Sequence, residues 1–123
     1  MIKNILLVAL GGGLGSVLRF LMNLFIAKNL PTRLYLATFL VNTIGCFFIG
    51  YSIGYFQKYT TDNEFLKLAI ITGFCGGFTT FSTFGLENYT LIQSGNISTS
   101  LLYTSLSIII GILFVTLGIY LSK

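Results

Sequence analysis

Charge and histidine are what this sequence most lacks. Charged residues make up 8% of its 123 residues, whereas soluble domains carry about 25%, so the chain cannot cover a water-facing surface. It contains no histidine, and Cys46 and Cys75 are not paired at metal-ligand spacing, which argues against a zinc site and indicates small packing residues. No nucleophile–base pair or acidic dyad is visible, so we do not expect an enzyme.

The net charge of +4 comes from residues near the ends of apolar segments. The sequence has no basic cluster of the kind that a nucleic-acid duplex needs, so we expect no nucleic-acid partner. Basic residues at segment ends are typical of membrane anchoring. The lipid bilayer is therefore the expected surrounding.

Four apolar segments predict an all-α membrane protein with a single transmembrane domain over residues 1–123. A straight helix needs about 20 residues to cross the apolar core. The third segment is longer than that, follows a polar turn at residues 60–64, and has its midpoint near Thr80. The predicted spans are about residues 5–27, 34–55, 66–94 and 98–121.

The centre of the third span is poorly suited to a continuous helix. It reads Gly73-Phe-Cys-Gly-Gly-Phe-Thr-Thr-Phe-Ser-Thr-Phe84, with glycines that loosen the backbone and hydroxyls that compete for its hydrogen bonds. In hydrocarbon, non-helical backbone is tolerated only where protein or water covers it. A break in mid-membrane, over Gly76–Thr80, therefore predicts an ion or substrate site.

Small residues and charges at the span ends indicate how the helices assemble. GxxxG pairs begin at Gly11, Gly50 and Gly73, and we interpret them as helix-packing faces. The positive-inside bias is weak, and four helices are few for enclosing a pore, so we predict an antiparallel, dual-topology homodimer with a two-fold axis in the membrane plane. The basic residues at one side are Lys3, Lys58, Lys67 and Lys123, against Lys28 and Arg33 at the other.

Two polar residues inside the first two spans have both a structural and a functional interpretation. Arg19 either extends towards the nearer membrane surface or provides a fixed positive charge at a water-filled vestibule. Asn42, with Thr38 one turn earlier, either joins helices or donates to a permeating ion.

The later spans hold the remaining candidates. Tyr103 and Ser107 form a hydroxyl stripe or pack against a neighbour, and Gly111 continues their face. Glu87 is a proton carrier, a water-facing group, or a partner of Arg19 or a lysine. Phe81 and Phe84 share a helical face; they are lipid-facing or core aromatics, or their positive ring edges replace the hydration shell of a small anion.

Three stretches of the chain carry a recognisable pattern: Gly12-Gly13-Leu-Gly15-Ser-Val-Leu-Arg19-Phe20, Thr38-Phe-Leu-Val-Asn42-Thr-Ile-Gly45 and Gly73-Phe-Cys-Gly76-Gly77-Phe-Thr79-Thr80-Phe81-Ser82-Thr83-Phe84. They resemble the Fluc (CrcB) fluoride channel family, and the third stretch is the most specific. The similarity extends over the whole chain and includes its length and four-helix layout.

The resemblance implies a passive fluoride channel in a bacterial plasma or inner membrane, built as a dual-topology homodimer with two pores. It implies a structural sodium ion at the dimer axis, bound by the backbone carbonyls of Gly76 and Thr79. Arg19 and Glu87 match vestibule positions, whereas Gly111 departs from the hydroxyl that extends the track in some members. The implied fluoride pathway consists of Asn42, Phe81, Phe84, Ser82, Thr83, Thr38, Tyr103 and Ser107.

The main alternative is a small four-helix proton-coupled exporter. Such an exporter needs a titratable carboxylate in its binding chamber, typically in the first span. That span contains Arg19 and no acid. A non-conducting scaffold is a second alternative, but it gives no reason for an amide, a guanidinium and hydroxyls at mid-membrane depth.

Overall fold

The computed structural model describes residues 1–59 and 63–123 and shows four helical spans. Three are continuous: α1 (Ile2–Asn29), α2 (Tyr35–Lys58) and α6 (Ile97–Ser122). The third span, Glu64–Gln93, is divided into α3 (Glu64–Lys67), a π-helical segment (Leu68–Cys75), α4 (Gly76–Phe78) and α5 (Ser82–Gln93). All four spans are long and apolar enough to cross a membrane, so the predicted all-α fold with an interrupted third helix is confirmed.

Local sequence explains where the third span begins and ends. The side chain of Asn63 accepts a hydrogen bond of 3.1 Å from the N–H of Leu66 and so caps α3. Gly95 follows α5 with a φ of +83°, a left-handed conformation that glycine adopts without steric cost. The predicted polar turn at residues 60–64 lies, for residues 60–62, outside the described residues.

Glycines allow two pairs of spans to approach at backbone distance. A Cβ at Gly15 of α1 would collide with the Phe74 carbonyl, and a Cβ at Gly77 would collide with the Gly12 carbonyl. Between α2 and α6, Gly50 contacts the Val115 carbonyl in the same manner. The interpretation of the GxxxG pairs as packing faces is thus confirmed, and the first half of the third span lies against α1.

The predicted break over Gly76–Thr80 is confirmed, and the structure narrows it to residues 79–81. The helix continues through Gly76–Phe78, and the interruption lies after it, where Thr79 is extended (φ −90°, ψ 159°). Gly73 and Gly77 are helical and serve close packing with α1. The Asn42 amide and the Thr80 hydroxyl provide the bonds that interrupt the helix. The π-helical segment before α4 was not predicted.

Candidate functional site

The break is held from one side by the amide of Asn42. Its Oδ1 accepts a hydrogen bond of 2.8 Å from the Thr80 N–H, and its Nδ2 donates to the Thr80 carbonyl at 3.0 Å. In a continuous helix the Thr80 N–H would bond to the carbonyl of Gly76. The side chain of Asn42 therefore replaces two backbone hydrogen bonds that a continuous helix would make.

A second brace comes from α1. Arg19 Nε donates to the Gly77 carbonyl at 3.0 Å, and the Ser16 hydroxyl lies 3.5 Å from the same oxygen. Carbonyls at the end of a helical segment carry partial negative charge, so a guanidinium there is favourable. Arg19 thus lies at the break and is only partly exposed.

Thr80 also starts the second half of the span. Its Oγ1 accepts a bond of 3.3 Å from the Thr83 N–H, in the manner of a helix cap, and donates to Thr83 Oγ1 at 3.2 Å. Ser82 Oγ lies 3.4 Å from the same atom. The Thr83 N–H is thereby diverted from the Thr79 carbonyl, its partner in a continuous helix.

Aromatic rings extend from the break towards α6. The ring centroids of Phe81 and Phe84 are 5.8 Å apart, and those of Phe84 and Tyr103 are 5.0 Å apart with an edge-on geometry. Phe81 is 83% exposed in the single chain. Such a row offers ring edges, which carry partial positive charge, at its uncovered end.

Glu87 lies at the other end of the ring row. Tyr103 donates its hydroxyl to Glu87 Oε1 at 2.9 Å, and the buried Thr38 hydroxyl lies beside both groups. The partner of Glu87 is therefore a tyrosine, while Arg19 bonds to backbone. Within residues 1–59 and 63–123, the side-chain ion pair is the surface pair Lys67–Glu64, at 3.8 Å.

A groove of about 540 Å³ opens beside the break. Within the described part of the chain, Ser107 Oγ is a buried side-chain oxygen with no hydrogen-bond partner. Such a hydroxyl is costly unless another group or an ion satisfies it. The candidate residues that line the groove are Asn42, Phe81, Phe84 and Ser107 from the anion pathway and Gly76 and Thr79 from the cation site.

The remaining candidates lie around the groove rather than in its lining. Ser82 and Thr83 bond to Thr80, and Thr38, Tyr103 and Glu87 form the cluster beyond Phe84. Sequence reasoning placed the break at Thr80 but did not include this residue in the candidate site, although its backbone and hydroxyl make the bonds that hold the break. A threonine run after glycines within an apolar span was a signal for it, but only the structure pairs that run with Asn42.

Four apolar helices, one of them interrupted beside a polar groove, define a small multi-pass membrane transport protein. A family profile described as "CrcB-like protein, Camphor Resistance (CrcB)" matches residues 6–119. The chain therefore belongs to the CrcB family. This membership and the four spans confirm a multi-pass protein of the bacterial membrane.

Relatives named as channels match the chain over nearly its full length. A "Fluoride-specific ion channel FluC" of Azobacteroides pseudotrichonymphae is 49% identical over 123 residues, which cover 100% of this chain and 98% of that one. The protein of the same name from Flavobacterium psychrophilum is 46% identical, with 98% of each chain covered. "Fluoride-specific ion channel FluC 2" of Bacillus cereus is 49% identical over 94% of each. The family is one of channels, which confirms that the chain is not an enzyme.

Proposed function

We propose that this protein is a passive fluoride channel that lets fluoride leave the cytoplasm. The observation that carries the proposal is the groove, in which an amide, two phenyl rings and an unpartnered hydroxyl meet beside a helix break. The names of the relatives support fluoride as the ion.

The groups in the groove suit a small, strongly hydrated anion. Only donors and positive ring edges can replace water around such an ion. The Asn42 amide carries two N–H groups, and one of them is committed to the Thr80 carbonyl. The other is available to the ion, and Ser107 supplies a hydroxyl further along the groove. Ser82, Thr83, Thr38 and Tyr103 extend the proposed pathway on either side of the rings.

Arg19 and Glu87 are proposed as vestibule residues at the approaches to this pathway. The guanidinium of Arg19 uses Nε on the Gly77 carbonyl, so its terminal nitrogens remain to attract anions. Glu87 accepts the Tyr103 hydroxyl and thereby orients it.

A second copy of the chain is the proposed cover of the groove. Gly76 and Phe81 are exposed, and Thr79 and Thr80 are partly exposed in the single chain. Non-helical backbone facing lipid is too costly to persist, so protein must cover it. The weak charge bias between the two ends supports an antiparallel arrangement of the copies. Size-exclusion chromatography with light scattering tests this: a dimer is expected, and a monomer in mild detergent would contradict it.

A structural sodium ion fits the break in such a dimer. The N–H groups of Thr80 and Thr83 donate to side chains instead of to the backbone. The carbonyls of Gly76 and Thr79 therefore lack the hydrogen bonds that these N–H groups would give them in a continuous helix. Two antiparallel copies bring four such oxygens towards one axis, and oxygen-only ligands suit a hard cation. Bound sodium would neutralise the repulsion between the two helix ends.

The direction of transport follows from acid–base chemistry. Hydrogen fluoride crosses membranes uncharged and dissociates in a more neutral cytoplasm, which traps fluoride. An open anion pore then releases it, driven outward by the negative-inside potential at about 2.3 kcal/mol per charge per 100 mV.

Fluoride efflux from liposomes that contain the purified protein tests the proposal. A fluoride electrode should record release without nucleotide or a proton gradient, and chloride should remain inside in the matched control. Strict dependence on an imposed proton gradient would favour the exporter instead, which the comparisons do not support.

A further inference from the structure

Asn88 forms a polar node between α5 and α6 that the proposed pathway does not use. Its Oδ1 accepts hydrogen bonds from Ser100 Oγ at 2.7 Å and from Thr104 Oγ1 at 3.1 Å. Its Nδ2 donates to the Phe84 carbonyl at 3.0 Å. A single amide thus connects the backbone of Phe84 to two hydroxyls that lie one turn apart on α6.

Within the single chain, the node acts on a helix that has little apolar burial. None of the 12 residues of α5, all of them described, is fully buried. Apolar contacts in a membrane leave helix rotation weakly specified, because lipid is as apolar as the neighbouring helix. Directed bonds to Asn88, together with the bond from Tyr103 to Glu87, therefore decide how α5 is rotated against α6.

Rotation of α5 matters because of where Phe84 lies. The Phe84 ring meets Tyr103 of α6 edge-on at 5.0 Å, and Tyr103 in turn donates to Glu87, the residue before Asn88. Turning α5 out of this register separates the ring from Tyr103 and removes Phe84 from its place in the groove.

We infer that Asn88, with Ser100 and Thr104, is a positioning element that holds Phe84 at the pathway. The inference rests on the proposed channel function. Asn88 itself does not line the groove, and it acts through the ring and backbone of Phe84.

Thr104→Val tests the inference against Thr116→Val in the same helix. Both changes replace a hydroxyl by a methyl, but the Thr116 hydroxyl bonds only to the Ile112 carbonyl of its own helix and is exposed. Fluoride flux from liposomes should fall about threefold for Thr104→Val, the effect of one typical interhelical bond in a membrane. Thr116→Val should conduct like the wild type, and Thr104→Ser, which keeps the hydroxyl, should restore the flux.

Further variants keep the inference falsifiable. Asn88→Leu should lower flux by at least tenfold, and adding Thr104→Val to it should lower flux no further, because the shared partner is already absent. If Thr104→Val does not assemble, Ser100→Ala compared with Ser105→Ala provides the same test on small side chains. Equal flux for Thr104→Val and Thr116→Val, or additive losses in the double variant, would overturn the inference. Absence of fluoride release from the wild type would instead refute the proposed function.

Discussion

The two halves of the third span are held in place by different kinds of contact. Before the break, glycines let the π-helical segment and α4 lie against the backbone of α1, and Gly73, Cys75 and Phe78 are buried. After the break, α5 has no fully buried residue within its described length and is held by Asn88, Glu87 and ring contacts. Shape fixes the first half, whereas directed polar bonds fix the second.

This difference indicates which half of the third span tolerates substitutions that alter function. Backbone-to-backbone packing admits almost no substitution, because interiors are close-packed and an added Cβ has nowhere to go. Hydrogen bonds between side chains can be exchanged one at a time, with small effects on the rest of the fold. Asn42, Phe81 and Phe84, which are proposed to contact fluoride, lie at the break between these two halves.

The largest effect on fluoride flux is expected from a variant that disrupts the bonds between Asn42 and Thr80 at the break. Asn42→Asp keeps an acceptor for the Thr80 N–H but loses the donor to the Thr80 carbonyl and adds a charge of the same sign as the ion. Two like charges about 4 Å apart repel by about 4 kcal/mol at an effective dielectric constant of about 20, so we expect flux to fall by about 100-fold or more. The fold of each chain should persist, since the glycine contacts between its helices are untouched, and we expect the proposed dimer to remain assembled.

Fluoride efflux and size-exclusion chromatography on the same preparation check this result. Asn96→Asp, at the exposed start of α6, makes the same chemical change away from the groove and should leave flux unchanged. Wild-type flux in Asn42→Asp would remove this amide from the pathway.

A second prediction concerns the half before the break, which glycine contacts with α1 hold in place. Gly15→Ala places a methyl against the Phe74 carbonyl and the Phe78 N–H, whereas a Cβ at Gly13 meets nothing within 4 Å. We expect Gly15→Ala to destabilise the protein by about 1–3 kcal/mol. Gly13→Ala should be neutral or stabilise the helix by up to about 1 kcal/mol. Thermal unfolding in detergent measures both, and similar melting temperatures for the two variants would contradict close packing at Gly15.

The rings after the break should respond with smaller and separable effects. Phe84→Ile loses ring contacts to both Phe81 and Tyr103, each worth about 0.5–1.5 kcal/mol, whereas Phe81→Ile loses one. Both variants should lower fluoride flux sharply, because an aliphatic group lacks a positive edge. Phe84→Ile should lower the melting temperature more than Phe81→Ile does, because it loses two ring contacts instead of one. Near-native flux in both would show that the rings are structural.

The smallest effect is expected at the proposed cation site. Thr79→Ser keeps the backbone carbonyl and the hydroxyl that donates to the Cys75 carbonyl at 2.8 Å, and it removes only the methyl that faces Gly45. Stability should change by about 1 kcal/mol or less, and stabilisation by sodium over potassium should persist. Melting curves in the two salts test this, and loss of the sodium dependence in Thr79→Ser would mean that the side chain is a ligand.

Sequence reasoning predicted the four spans and the interrupted third helix because composition and length carry those features directly. It also singled out Asn42, Phe81 and Phe84, which the structure places together in the groove. It placed the break over Gly76–Thr80, and the structure narrows the break to residues 79–81, because packing against α1 keeps Gly76–Phe78 helical.

The partners of the polar groups were beyond sequence reasoning. Nothing in the spacing of Arg19 shows that its nearest acceptor is the Gly77 carbonyl, or that the hydroxyls of Ser100 and Thr104 converge on Asn88. Such pairings join residues that are distant along the chain, and they depend on helix rotation, which hydrophobic patterns of nearly uniform spans do not encode.

The bonds that Arg19 and Asn42 make at the break have a consequence for the order of synthesis and membrane insertion. Arg19 and Asn42 both precede Thr80 in the chain, so the first two spans are already synthesised when the third leaves the ribosome. Both side chains that hold the break are therefore available as soon as the third span enters the bilayer. The chain is therefore synthesised in an order in which Arg19 and Asn42, which hold the break, precede the third span that contains it.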